Sequence, residues 1–150
     1  MSVQASIDRL NLLCERIPAL LAQIPEGEFT RQPAPNKWSK KAILGHLIDS
    51  ATNNHHRFVR AQFETTPAIF YNPDLWNDHS DYLKMDSQHL IQFWTVYNKH
   101  LVFLMQNLPE KYLLNEVNTG GSQTVTLEFV INDYVVHLEH HLSAMVDYNF

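Results

Sequence analysis

The chain has one cysteine among its 150 residues, no run of lysines and arginines, no stretch of 18 apolar residues, no internal repeat and no low-complexity tract. A lone Cys14 cannot close an internal disulfide, so a disulfide scaffold is excluded. With a formal charge of −5, a pI near 5.9 and no basic run, the chain lacks the electrostatic footprint that a nucleic-acid phosphate backbone requires. The missing apolar run argues against a membrane-spanning helix, and the N-terminus does not read as a charged-then-apolar leader. A soluble protein of the reducing cytoplasm is the expectation, with neither nucleic acid nor membrane as a partner.

What is present points to helices. A chain of this length with 45% hydrophobic residues can bury one sizeable core, and residues 1–150 read as a single domain. Ile7, Leu10, Cys14, Ile17, Leu21 and Ile24 fall at steps of three and four, the stripe of a first helix. Pro18 lies inside that stripe and predicts a bend, because it removes a backbone donor and crowds the preceding turn. Pro25 to Lys37, with three prolines and Gly27, reads as a loop. Ser39 is a candidate N-cap for a second helix with Ile43, Leu44, Leu47, Ile48, Ala51 and Phe58 on its apolar face. Between about Thr65 and Met85 the periodicity disappears while Phe70, Tyr71, Trp76 and Tyr82 keep the segment aromatic. A connection that long inside a compact domain is either a lid over a site or a packed crossing. Ser87 to Leu108 is a third helix, stopped by Pro109. A small hairpin is predicted around Asn118 to Gly121, followed by a fourth helix capped by Thr126. Four such helices predict an all-α fold, an antiparallel four-helix bundle.

The chemistry concentrates in two segments. His137 and His141 are four residues apart, so a helix stacks them one turn above the other on one face, at the edge of the fourth helix's apolar stripe. His140 points away. His46, in Ser39-Lys-Lys-Ala-Ile-Leu-Gly-His-Leu-Ile-Asp49, stands on the polar edge of the second helix together with Ser50, Asn53 and Arg57. If the second and fourth helices are neighbours, the three imidazoles meet near one end of the bundle. Neutral imidazole suits zinc, nickel, iron or copper, and three protein ligands with a fourth position open is the arrangement of catalytic zinc. The plain alternative is a set of histidines hydrogen-bonded between helices.

Trp38-Ser39 followed by Ile43-Leu44-Gly45-His46-Leu47-Ile48-Asp49, the aromatic Phe70-Tyr71-Asn72-Pro73-Asp74-Leu75-Trp76, and His137 with His141 together resemble the DinB-like or YfiT-like family. The resemblance covers nearly the whole chain in order. It implies an antiparallel four-helix bundle, often a homodimer, with a divalent metal, zinc or nickel, on His46, His137 and His141. It further implies either a metal-dependent hydrolase or a transferase using a low-molecular-weight thiol, such as bacillithiol or mycothiol, on a small electrophile. The other class of function left open is a non-catalytic bundle whose histidines or metal are structural.

Around the site, Asp49 and Asp133 are the carboxylates that could accept an imidazole N–H, although each reads first as a solvated surface group. Asn53 and Arg57 are candidates to line a pocket and orient an anionic substrate, and Arg57 could equally pair with a carboxylate across the bundle. Tyr71 and Trp76 are candidate pocket residues from the aromatic segment. His55, His56, His89, His100 and His140 have no matched partner and read as surface groups; His79 belongs with them but sits in the aromatic segment. Cys14 continues an apolar stripe and reads as structural.

Overall fold

The computed structural model describes residues 1–150. Four long helices carry the fold: α1 (Val3–Ala22), α3 (Lys40–Arg60), α5 (Ser87–Gln106) and α6 (Leu127–Ser143). Two short helices, α2 (Glu26–Phe29) and α4 (Pro73–Ser80), and a two-residue antiparallel pair, β1 (Glu116–Val117) with β2 (Val125–Thr126), complete it. The caps are those read from the sequence: the Ser39 hydroxyl accepts from the Ala42 N–H, and the Thr126 hydroxyl accepts from the Phe129 N–H. The hairpin lies where it was expected.

Helix α1 includes Pro18 and continues past it to Ala22. Two expectations need correction. The segment after Pro25 is not all loop, since Pro25 leads into the single turn of α2. The aromatic connection is likewise partly helical. Asn72 caps α4 through the Leu75 N–H, and Pro73 occupies the first turn, where its missing N–H costs nothing.

Contacts between the helices give their directions. Ser6 donates to Asn132 and Arg9 pairs with Glu139, so α1 and α6 run the same way. His46 sits beside His141 while Phe58 packs on Tyr134, so α3 and α6 are antiparallel. At one end Lys41 and Ser87 both reach Glu26, and further along His55 bonds Tyr97 and meets His100 edge-on, so α3 and α5 are parallel. Parallel neighbours cannot be joined by a tight turn. The chain must return along the full length of α3, roughly 30 Å for a helix of that size, and this is why the aromatic connection is long.

The core sits between the four long helices. Leu10, Ile17, Leu44, Leu47, Phe58, Trp94, Leu101, Ile131 and Tyr134 are all fully or almost fully buried. Its polar groups are mostly matched: the Tyr134 hydroxyl donates to Asn98 Oδ1 at 2.6 Å, and Asn98 Nδ2 donates to the Trp94 carbonyl at 2.9 Å. No helix is long and apolar enough to cross a membrane.

Candidate metal centre

His46 lies in the second turn of α3 and His137 and His141 in the last turns of α6, so the antiparallel pairing delivers all three to the same end of the bundle. The Nε2 atoms of His46 and His137 are 3.3 Å apart. One candidate ligand nitrogen from each of the three rings lies within 4.8 Å of the other two. Two nitrogens each about 2.1 Å from a shared tetrahedral ion would be about 3.4 Å apart, so the His46–His137 spacing fits a common ligand point and His141 closes the set from one turn away. Hydrogen bonding between neutral rings accounts for one such contact but not for a third imidazole nitrogen within 4.8 Å of both.

The electrostatics agree with this arrangement. Burial pushes His46 down to about 4, reinforced by His137 and His141. Burial also pushes His141 down to about 4, with His137 and His140 adding to the shift. His137 is lowered by burial, then by His140 and Arg57. All three therefore stay neutral at physiological pH, the form in which an imidazole has a lone pair to offer a metal. The donor set fits a divalent metal of the borderline class.

The surroundings differ in several ways from the sequence expectation. Asp49 is not a surface carboxylate: it is 2% exposed and accepts from the Tyr82 hydroxyl, and its second oxygen has no partner. Burial pushes its carboxyl up to about 6, against the opposing pull of the Tyr82 hydrogen bond. It does not bond His46, whose buried Nδ1 has no protein partner. Asn53 is not among the residues that line the cavity beside His137, and its amide donates to the Asp49 carbonyl in its own helix. Its neighbour Asn54 takes that place. Asn54, Ser50, Arg57, Tyr71, Asp133, Tyr134 and His137 enclose a small cavity of about 110 Å³. Arg57 is committed to structure there, donating twice to the Ile69 carbonyl and once to Asn54 Oδ1, which ties the start of the crossing to α3. Tyr71 reaches the cavity, whereas Trp76 is 38% exposed and meets the Tyr71 ring edge-on. His79 is exposed and bonds the Leu75 carbonyl, away from the site.

A larger cavity of about 370 Å³ opens on the other side of the triad, beside His141. Its walls are Glu28, Arg31, Pro33, Lys37, Trp38, Lys40, Ile43 and Ala144. Trp38 packs on His46 with ring centroids 4.9 Å apart. Trp38, Lys40 and Ile43 belong to the segments that mark the triad, whereas Glu28, Arg31, Pro33, Lys37 and Ala144 do not. Trp38 directly before the helix cap and Ile43 in the helical stripe were the sequence signals for this wall, while the loop that supplies Arg31 and Lys37 has no periodicity to reveal its direction.

Comparison with known proteins settles the family. The family model described as the DinB superfamily matches residues 9–145. The chain belongs to the DinB superfamily. Within this superfamily it is 25% identical over 142 residues to a protein of Halalkalibacterium halodurans named putative metal-dependent hydrolase, covering 94% of this chain and 82% of that one. It is 24% identical over 146 residues to the Bacillus subtilis protein YfiT, which carries the same description, over 93% of this chain and 82% of YfiT. The structure of YfiT, described as a probable metal-dependent hydrolase with an unusual four-helix bundle topology, superposes with a TM-score of 0.77 at 23% identity, covering 91% of this chain and 82% of that one. A mycothiol-dependent maleylpyruvate isomerase shares the fold with a TM-score of 0.78 at 15% identity, over 95% of this chain and 60% of that one. The chain thus shares the four-helix bundle fold of YfiT.

The crossing is clamped to α3 next to the triad. A Cβ added to Gly45 would lie 2.3 Å from the Tyr82 ring, so the ring rests directly on the backbone beside His46. Gly45→Ala is expected to destabilise the fold, because overpacking costs about 1–3 kcal/mol and the better helix propensity of alanine returns only about 0.5–1 kcal/mol. Chemical denaturation should show the loss, and amide exchange should rise first in residues 81–86.

Proposed function

We propose that this chain is a metal-dependent enzyme in which His46, His137 and His141 hold a divalent ion and a small electrophile is attacked by water or by a low-molecular-weight thiol. The convergence of three neutral imidazoles, one of which, His141, lines a solvent-open cavity, carries the reading. An ion held by three protein ligands supplies Lewis acidity at its free position, which makes water or a thiol a competent nucleophile near neutral pH. The remaining work falls to the chain. Burial keeps the three rings unprotonated, Trp38 walls the site on the side of His46, and Arg57 fixes the crossing so that Tyr71 closes the cavity beside His137.

Hydrolysis is the first reading, supported by the descriptions of the Halalkalibacterium halodurans and Bacillus subtilis relatives. Thiol transfer is the second, supported by the fold shared with a mycothiol-dependent enzyme. Cys14 supplies no nucleophile, since it is buried in the core and burial pushes its thiol up to about 12. The test is to purify the protein without chelator, measure bound metals, and assay zinc- and nickel-loaded samples. The assays are hydrolysis of small activated esters and consumption of an electrophile in the presence of several low-molecular-weight thiols. Turnover that depends on metal and disappears in His137→Ala supports the proposal. Inactivity of fully loaded protein in every assay overturns it in favour of a structural metal in a non-catalytic bundle.

A further inference from the structure

The cavity beside His141 has a charge pattern at odds with the rest of the chain. The sequence holds 16 acidic and 11 basic residues, yet this wall carries three bases, Arg31, Lys37 and Lys40, and one acid, Glu28. Glu28 is taken by Lys40, at 3.1 Å. Arg31 and Lys37 have no carboxylate or side-chain partner. Two uncompensated cations therefore face the cavity. Its other walls are apolar: the Trp38 ring, Pro33, Ile43 and Ala144. Its volume, about 370 Å³, is that of a small-molecule site. Arg57, the cation expected from sequence to orient an anion, is occupied by the Ile69 carbonyl, so Arg31 and Lys37 are the cations left to do so.

Resting on the metal-dependent reading above, we propose that the substrate is a small organic anion with an apolar or aromatic body. Its carboxylate or phosphate lies on Arg31 and Lys37, its body lies on Trp38, and its reacting group is presented toward His141. The physical basis is complementarity: a planar guanidinium and an ammonium offer donors to an anionic group, and a flat indole offers area to a ring. A neutral analogue of the same shape gains only the second contact.

The test uses metal-free full-length protein, so that it reads the cavity and not coordination to an ion. The probes are benzoate and phenyl phosphate, with benzamide as the uncharged counterpart, followed by tryptophan fluorescence at low ionic strength. Benzoate or phenyl phosphate should quench saturably and benzamide should not. The quench should be lost in Trp38→Phe, and affinity should fall by about tenfold in the double variant Arg31→Gln/Lys37→Gln, as expected when charged donors are removed, while Lys99→Gln on α5 leaves it unchanged. Arg31 and Lys37 are exposed, and circular dichroism will verify that the double variant folds. Equal binding of benzamide, no saturable binding of either anion, a quench that survives Trp38→Phe, or undiminished affinity in the double variant would each overturn the proposal. Absence of bound metal would overturn the metal reading alone and would leave this result interpretable.

Discussion

Replacing any one of His46, His137 or His141 by alanine is expected to weaken zinc binding by two to three orders of magnitude and to abolish metal-dependent turnover. Structural zinc sites with four ligands bind with about 10–16 kcal/mol, so one ligand accounts for roughly 2.5–4 kcal/mol, or about 10²–10³ in affinity. The three variants should behave alike, because each ring contributes a nitrogen to the same cluster. His140, which is exposed and lies beside His141 with ring centroids 5.4 Å apart but is not one of the three clustered rings, is the control: His140→Ala should keep nearly full affinity. Calorimetric titration with zinc checks both statements. Equal affinities for His137→Ala and the parent would rule out a shared site.

The second large effect is on stability. Zinc at about a thousandfold excess over its dissociation constant adds about 4 kcal/mol to a fold that binds it only when native. In a chain of 150 residues that corresponds to a rise in Tm of about 10 °C. The metal-free protein should respond to acid in a defined direction. His46, His137, His141 and His55 all have their pKa lowered in the fold, chiefly by burial. Between the unfolded histidine value near 6.5 and the folded values near 4 of His46 and His141, the unfolded chain binds protons that the native chain refuses, so stability falls as pH falls. Asp49 works the other way: its raised pKa lets the native state take a proton before the unfolded one does, which favours folding as pH drops through about 6. Four lowered histidines outweigh one raised carboxyl. Thermal melts of metal-free protein from pH 7 to pH 4.5 should show a steady decline in Tm, and the zinc-induced gain should shrink over the same interval because protons compete for the ligands. A metal-free Tm that rises across this interval would contradict the assignment of these rings as buried and neutral.

Much of this architecture was legible in the chain. Apolar residues at steps of three and four located all four long helices, and Ser39 and Thr126 marked two of their starts. The i, i+4 spacing of His137 and His141 placed two rings on one face, and the motif around His46 supplied the third. Helix direction was not legible, because an amphipathic stripe records which side is buried and not which neighbour covers it. The parallel pairing of α3 with α5 could be suspected only from the length of the crossing. Asn53 and Asn54 show the same limit at the scale of one residue. Both lie near the polar edge of α3 and each donates to a carbonyl one turn back in its own helix, and only the position of α6 decides that Asn54 lines the cavity beside His137 while Asn53 does not. Asp49 is buried because Tyr82, 33 residues away, folds back over it. Arg31 and Lys37 were hidden for a different reason, since they sit in a proline-rich loop whose side-chain directions follow no period.

Zinc K-edge X-ray absorption on protein loaded with one equivalent of zinc examines the triad most directly. The result expected is three imidazole nitrogens at about 2.0–2.1 Å with one further light atom, reduced to two imidazoles in His141→Ala. A shell with fewer than three imidazoles in the parent protein, or one that His141→Ala leaves unchanged, would contradict the claim that these rings share one ion.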